Sequence, residues 1–155
     1  MNIISAETFF LWKEKQITKG GDNKSLDFLI DSLGGLSHKE LNLLKIKSEK
    51  NINLKITLDL LESFWDKHLK YSIPIQYLSG ISYWRDLKLE VSNKVLIPRA
   101  ETELIVEIIS GKFNNKREKI TFVDLGTGSG AISIALALAN PNWNGIAIDN
   151  DKNAV

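Results

Sequence analysis

Ile120-Thr121-Phe122-Val123-Asp124-Leu125-Gly126-Thr127-Gly128-Ser129-Gly130 is the stretch on which the fold turns. Its first four residues are β-branched, aromatic or apolar, the composition of a strand in a buried parallel sheet. Three glycines at alternate positions then make a loop whose backbone can approach a ligand with no Cβ in the way. The run from Ala131 to Ala139 follows as a helix, stopped at Asn140-Pro141. Gly145-Ile146-Ala147-Ile148-Asp149 is a second short strand with an acid at its tip. Strand, glycine loop, helix, strand, acid is the opening unit of a nucleotide-binding, doubly wound sheet. Asp149 lies 23 residues after Gly126, close to the ~20 expected of a ribose-binding carboxylate.

Gly126, Gly128 and Ala131 also satisfy the dinucleotide fingerprint G-x-G-x-x-G/A, so a nicotinamide cofactor must be weighed. Asp124 argues against it. A dinucleotide loop offers backbone amides and a helix N-terminus to a pyrophosphate, and a carboxylate two residues before the first glycine would repel that anion. S-adenosyl-L-methionine has no phosphate; it brings a sulfonium, an α-ammonium and an adenosine, for which an acid at the strand end is an asset. The expected cofactor-binding residues are Asp124, Gly126, Thr127, Gly128, Ser129, Gly130 and Asp149, in a class I, Rossmann-like methyltransferase domain. A purely structural turn is the plainer account of the loop, although three alternate glycines exceed what a turn needs. For Asp149 the plainer account is stronger, because Asp149-Asn150-Asp151 is also a good turn and helix cap.

Upstream, the chain reads as helices. Ser5 caps a first helix carrying Phe9, Trp12 and Ile17 that runs to Gly20-Gly21; a second follows Asp22-Asn23 and ends at Gly34-Gly35. Ser37 and Glu40 have capping-box spacing ahead of a third. A polar stretch, 47–53, precedes a fourth helix capped by Thr57 and bearing Leu61, Phe64 and Trp65. Four short amphipathic helices suggest a small bundle. After Pro74 the pattern changes: Leu87, Leu89 and Val91 alternate with Lys88 and Glu90, Asn93-Lys94 reads as a turn, and Val95-Leu96-Ile97 as another strand ended by Pro98. Residues 101–110 should be helical and 113–119 a charged loop. The expected fold class is α + α/β, with a helical domain over 1–73, a hairpin linker over 74–98 and the first βαβ unit of the cofactor domain over 99–155.

Composition sets the outer bounds. The 155 residues are 43% apolar and 25% charged, with a formal charge of +1 and no Cys. That is globular composition, not disorder. It leaves no field for holding nucleic acid, and no disulfide, thiolate metal site or Cys nucleophile. With no basic leader and no apolar run of the ~20 residues that span a bilayer, a monomeric, cytoplasmic protein away from membranes is expected. His38 and His68 make no metal site without further ligands. Trp12 and Trp65 read as core; Trp84-Arg85 in the hairpin could contact a partner, but packing of the hairpin aromatic on the domain is the favoured role.

Ile75-Gln76-Tyr77-Leu78-Ser79-Gly80, then Ile97-Pro98-Arg99-Ala100-Glu101-Thr102-Glu103, then the glycine loop, together resemble the release-factor glutamine methyltransferases of the HemK/PrmC type. The Ile-Pro-Arg-x-Glu-Thr-Glu string is the most specific part, since general methyltransferases lack it. The resemblance implies methyl transfer from S-adenosyl-L-methionine to the side-chain amide nitrogen of the glutamine in the Gly-Gly-Gln loop of class I, bacterial-type peptide chain release factors. It places the cofactor loop on Gly126 to Gly130 and the ribose acid on Asp149, and makes the helical domain a candidate for docking the release factor. Ala100 stands where the family usually has Pro, which removes no functional group. The family's substrate motif, Asn-Pro-Pro-Tyr, lies beyond Val155. No catalytic residue is therefore assigned here, and the chain alone is expected to be an inactive N-terminal part with exposed strand edges and apolar faces. Arg99, Glu101 and Thr102 either line the cofactor pocket or merely fix a helix start. A NAD-dependent oxidoreductase fragment and a non-enzymatic binding module with a vestigial nucleotide fold are the competing accounts.

Overall fold

A computed structural model describes residues 2–46, 51–113 and 119–154, which form two units, Met1–Ser79 and Gly80–Val155. In the first, strand β1 (Asn2–Ser5) leads directly into helix α1 (Ala6–Thr18), and the Ser5 hydroxyl accepts a bond from the Thr8 amide at 3.1 Å. Helix α2 (Asn23–Leu29) is capped by Asp22, which accepts from the Ser25 amide at 3.0 Å. It continues into one π-helical turn, Ile30–Gly34, closed by left-handed Gly35 at φ 72°. The capping box forms at the start of α3 (His38–Ile46): Glu40 Oε2 accepts from the Ser37 amide at 2.9 Å, and Ser37 Oγ from the Glu40 amide at 3.3 Å. After strand β2 (Asn51–Leu54), Thr57 caps α4 (Leu58–Tyr71), and a short helix α5 (Ile75–Ser79) closes the unit.

The four expected helices are all present, but the unit is not helical throughout. β1 pairs antiparallel with β2, setting Ile4 opposite Ile52. The polar stretch over 47–53 thus ends in a strand, and its residues 47–50 lie outside the described part. Ile52 and Leu54 point into the same core as Phe9, Leu26, Leu61 and Trp65. Both tryptophans are core, as their helical spacing suggested. Trp65 Nε1 donates to the Gln16 carbonyl at 3.1 Å and Trp12 Nε1 to Glu62 at 3.3 Å, so neither buried ring leaves its N–H unmet.

In the second unit, β3 (Ile81–Trp84) and β4 (Leu87–Glu90) form an antiparallel hairpin. Its turn holds Arg85 at φ 51°. The alternation is as read: Leu89 and Val91 are buried, Lys88 and Glu90 exposed. The strand expected at Val95-Leu96-Ile97 does not form. The Val95 amide is spent on the Ser92 carbonyl at 3.1 Å in the turn, and no described strand lies alongside to pair with this segment. Apolar composition alone cannot make a strand without a neighbour to complete its hydrogen bonds. A 3₁₀ turn, Ala100–Thr102, opens α6 (Glu103–Lys112), and residues 114–118 of the charged loop lie outside the described part.

β5 (Thr121–Leu125), α7 (Ala131–Ala139) and β6 (Asn144–Ile148) follow. The two strands are parallel neighbours, with Asp124 level with Ala147. Val106, Ala131, Leu136, Trp84, Leu89 and Trp143 make the core, and Phe122 packs edge-on against Trp143 with ring centroids 6.3 Å apart. On this side Phe122 of β5 packs on the core, while β6 is exposed along its length. On the other, Val123, Leu125, Ile146 and Ile148 are 53%, 76%, 51% and 48% exposed.

Candidate cofactor site

The glycine loop is shaped by where β5 ends. The amides of Gly126 and Thr127 both donate to the Ile148 carbonyl, at 2.8 and 3.1 Å, so the loop folds over the tip of the neighbouring strand. Gly126, Gly128 and Gly130 all adopt left-handed backbone, at φ 74°, 56° and 74°, a region that costs other L-residues ~1–2 kcal/mol. A Cβ at Gly126 or Gly128 would meet no atom within 4 Å, whereas one at Gly130 would press on Ile134 Cδ1 at 3.3 Å. The first two glycines therefore leave bare backbone facing open space. The third opens α7, where a Cβ would crowd the helix's own Ile134.

Two carboxylates flank this loop. Asp124 Oδ2 accepts the Thr127 hydroxyl at 2.8 Å and the Ser133 hydroxyl at 2.6 Å. Its Oδ1 takes no bond from any described residue and keeps its acceptor sites open. Asp149 Oδ1 accepts the Asp151 amide at 2.9 Å and Oδ2 the Gly128 amide at 2.8 Å. These two amides, Asp151 first and Gly128 second, hold its carboxyl below the usual carboxylate range. Each Asp149 oxygen has a second lone pair, so both can still accept a hydroxyl. Beside the loop a cleft of about 620 Å³ is lined by Val91, Val95, Thr127, Ser129, Gly130 and Ser133, a size suited to a small-molecule ligand.

Among the residues read as cofactor-binding, Thr127, Ser129 and Gly130 line the cleft, while Asp124, Gly126, Gly128 and Asp149 form the loop and its two acidic flanks. Ser133 escaped the sequence reading. Its signal was there: it is the one hydroxyl in Ala-Ile-Ser-Ile-Ala-Leu-Ala-Leu-Ala. The Arg99 segment is held through its backbone, since the Arg99 carbonyl accepts Trp84 Nε1 at 2.8 Å, and Thr102 makes no side-chain cap bond to α6. Arg85 reaches the Glu103 carbonyl at 3.4 Å, so the hairpin grips this segment at two points. His68 is occupied by the Ile73 carbonyl at 2.7 Å. Among the described residues no cluster of metal-ligating side chains occurs, and no helix is long and apolar enough to cross a membrane.

The strand tip thus turns through bare glycine backbone between two carboxylates. Comparison with known proteins narrows the class. No protein-family model matches the chain. It is 42% identical over 147 residues to a release factor glutamine methyltransferase of Prochlorococcus marinus, a match covering 94% of this chain and 50% of that protein. Proteins of the same name from Lactococcus lactis and Streptococcus pneumoniae are 39% and 32% identical, over 94% and 97% of this chain and 52% of each relative. The similarity to proteins named release factor glutamine methyltransferase therefore extends along nearly the whole chain. The chain spans about half the length of the curated relatives it matches.

Proposed function

We propose that the whole protein methylates peptide chain release factors of the class I, bacterial type, transferring a methyl group from S-adenosyl-L-methionine to the side-chain amide of the Gly-Gly-Gln glutamine. The observation that carries the cofactor assignment is the pair of carboxylates set around an open glycine loop. Bound there, S-adenosyl-L-methionine supplies an electrophilic methyl group on a sulfonium. Asp124, through its open Oδ1, accepts the α-ammonium. Gly126 and Gly128 present backbone to the nucleoside with no side chain between, and Thr127, Ser129 and Gly130 form the floor. Asp149 accepts the ribose hydroxyls. A dinucleotide is a poor fit, because the Gly128 amide that a pyrophosphate needs is held by Asp149 and a second carboxylate stands close by. The Rossmann-like sheet, the N-terminal helical bundle as the release-factor dock, and monomeric action in the cytoplasm belong to the same proposal; the names of the homologues support its substrate.

Two measurements test it. By calorimetry, S-adenosylhomocysteine should bind and NADH should not, and Asp124→Ala should weaken S-adenosylhomocysteine by about tenfold or more, the loss expected for a charge-assisted bond. Binding of NADH in place of S-adenosylhomocysteine sinks the cofactor assignment. Labelled methyl should pass from S-adenosyl-L-methionine to a release factor in the presence of the whole protein, and not to a release factor whose Gly-Gly-Gln glutamine is replaced by alanine; label on both would remove the substrate assignment.

A further inference from the structure

We propose that Ser133 is a positioning residue of the cofactor site, acting through Asp124 to aim the free carboxylate oxygen at the ligand's ammonium group. This rests on the assignment of Asp124 as the acid that receives that group. Serine in a helix normally turns its hydroxyl back on its own helix. Thr18, Ser32 and Ser63 do so here, each donating to the carbonyl three residues earlier, at 2.8, 3.3 and 2.8 Å. Ser133 breaks that habit. It sits in the first turn of α7, is 9% exposed, and donates across to Asp124 Oδ2 at 2.6 Å.

Thr127, 8% exposed, donates to the same oxygen. Each hydroxyl has a single proton. With both protons committed to Oδ2, the 3.5 Å separation of the two hydroxyls is left as a weak contact. The outcome is asymmetric: Oδ2 is saturated from the loop on one side and the helix on the other, and Oδ1 is left as the open acceptor. A carboxylate held by one hydroxyl swings about χ2; held by two from different elements it presents one oxygen in one direction, which is preorganisation for a point charge. Helix formation gains nothing from this residue, since alanine is the better helix former.

The test separates the amino-acid half of the ligand from its nucleoside half. Binding of S-adenosylhomocysteine and of 5′-deoxy-5′-methylthioadenosine, which lacks the amino-acid moiety, is measured by calorimetry on the 155-residue chain, as wild type, Ser133→Ala and Ser133→Thr. Ser133→Ala should weaken S-adenosylhomocysteine roughly five- to tenfold and leave methylthioadenosine unchanged, while Ser133→Thr, which keeps the hydroxyl, restores the first ligand. Equal loss of both ligands, no loss of either, or failure of threonine to restore binding overturns the positioning role while leaving the cofactor assignment intact. A wild type that binds neither ligand overturns that assignment, and this inference with it.

Discussion

Gly21 shows how much one hydrogen atom decides in the N-terminal unit. Its backbone lies at φ 83°, and a Cβ there would come within 2.6 Å of Trp65 Cζ2, on a ring that is fully buried. The ring cannot retreat, because its Nε1 is tied to the Gln16 carbonyl. Gly21→Ala combines left-handed strain with overpacking, each ~1–2 kcal/mol. Urea unfolding should show a loss of about 2–4 kcal/mol; a variant as stable as wild type would mean the Trp65 ring moves freely. The same residue type has the opposite surroundings at Gly126 and Gly128, where the conformation is equally left-handed but the space is open. Sequence shows the glycines alike; only the fold separates a packing glycine from one that leaves room for a ligand. The placement of Asp124 and Asp149 beside the glycine loop was legible because charge and spacing are written in the chain. Ser133 stands out in sequence as a lone hydroxyl, but not its partner, which lies nine residues away on another element.

Among the elements, α3 carries its own pH sensitivity. The Ser37 hydroxyl, then the Ser37 amide, lower the Glu40 carboxyl from its ordinary 4.5. A lowered folded-state value stabilises at pH above the unfolded value, and that contribution disappears as pH falls through the folded one. Ser37→Ala should therefore cost ~1 kcal/mol at neutral pH and progressively less below pH 4.5, read as converging urea midpoints; a constant difference across that range would remove Glu40 from the explanation. Caps of this kind were legible because donor and acceptor are three residues apart. The β1–β2 ribbon was not. Each strand is four residues long, and Asn2 meets Leu54 across fifty residues of chain, so no local pattern marks the pairing. Val95-Leu96-Ile97 fails in the reverse direction: its composition suits a strand, but what a strand also requires is a neighbour.

For the molecule as a whole, the open side of the β5–β6 pair is a prominent apolar surface of the second unit. Val123, Leu125, Ile146 and Ile148 stand level in the parallel register, so four apolar side chains form one continuous patch. Patches of that kind drive association in dilute solution. Concentrated chain should bind the dye ANS and scatter light, and Leu125→Lys with Ile146→Thr should reduce both without altering far-UV circular dichroism; unchanged scattering would place the association elsewhere. Overall composition gave no hint of this, because 43% apolar residues is the same figure whether they are sequestered or displayed.

The bond from the Gly128 amide to Asp149 joins residues 21 positions apart and closes a ring through loop, helix and second strand. On the proposed cofactor assignment Asp149 thereby has two tasks with one side chain: it tethers the loop and it would accept the ribose hydroxyls. Alanine here removes both oxygens and changes both at once, so a double-mutant cycle between loop and ribose contacts cannot be additive. Asparagine at this position keeps an oxygen for the tether while discarding the charge, and is the substitution that pulls the two tasks apart.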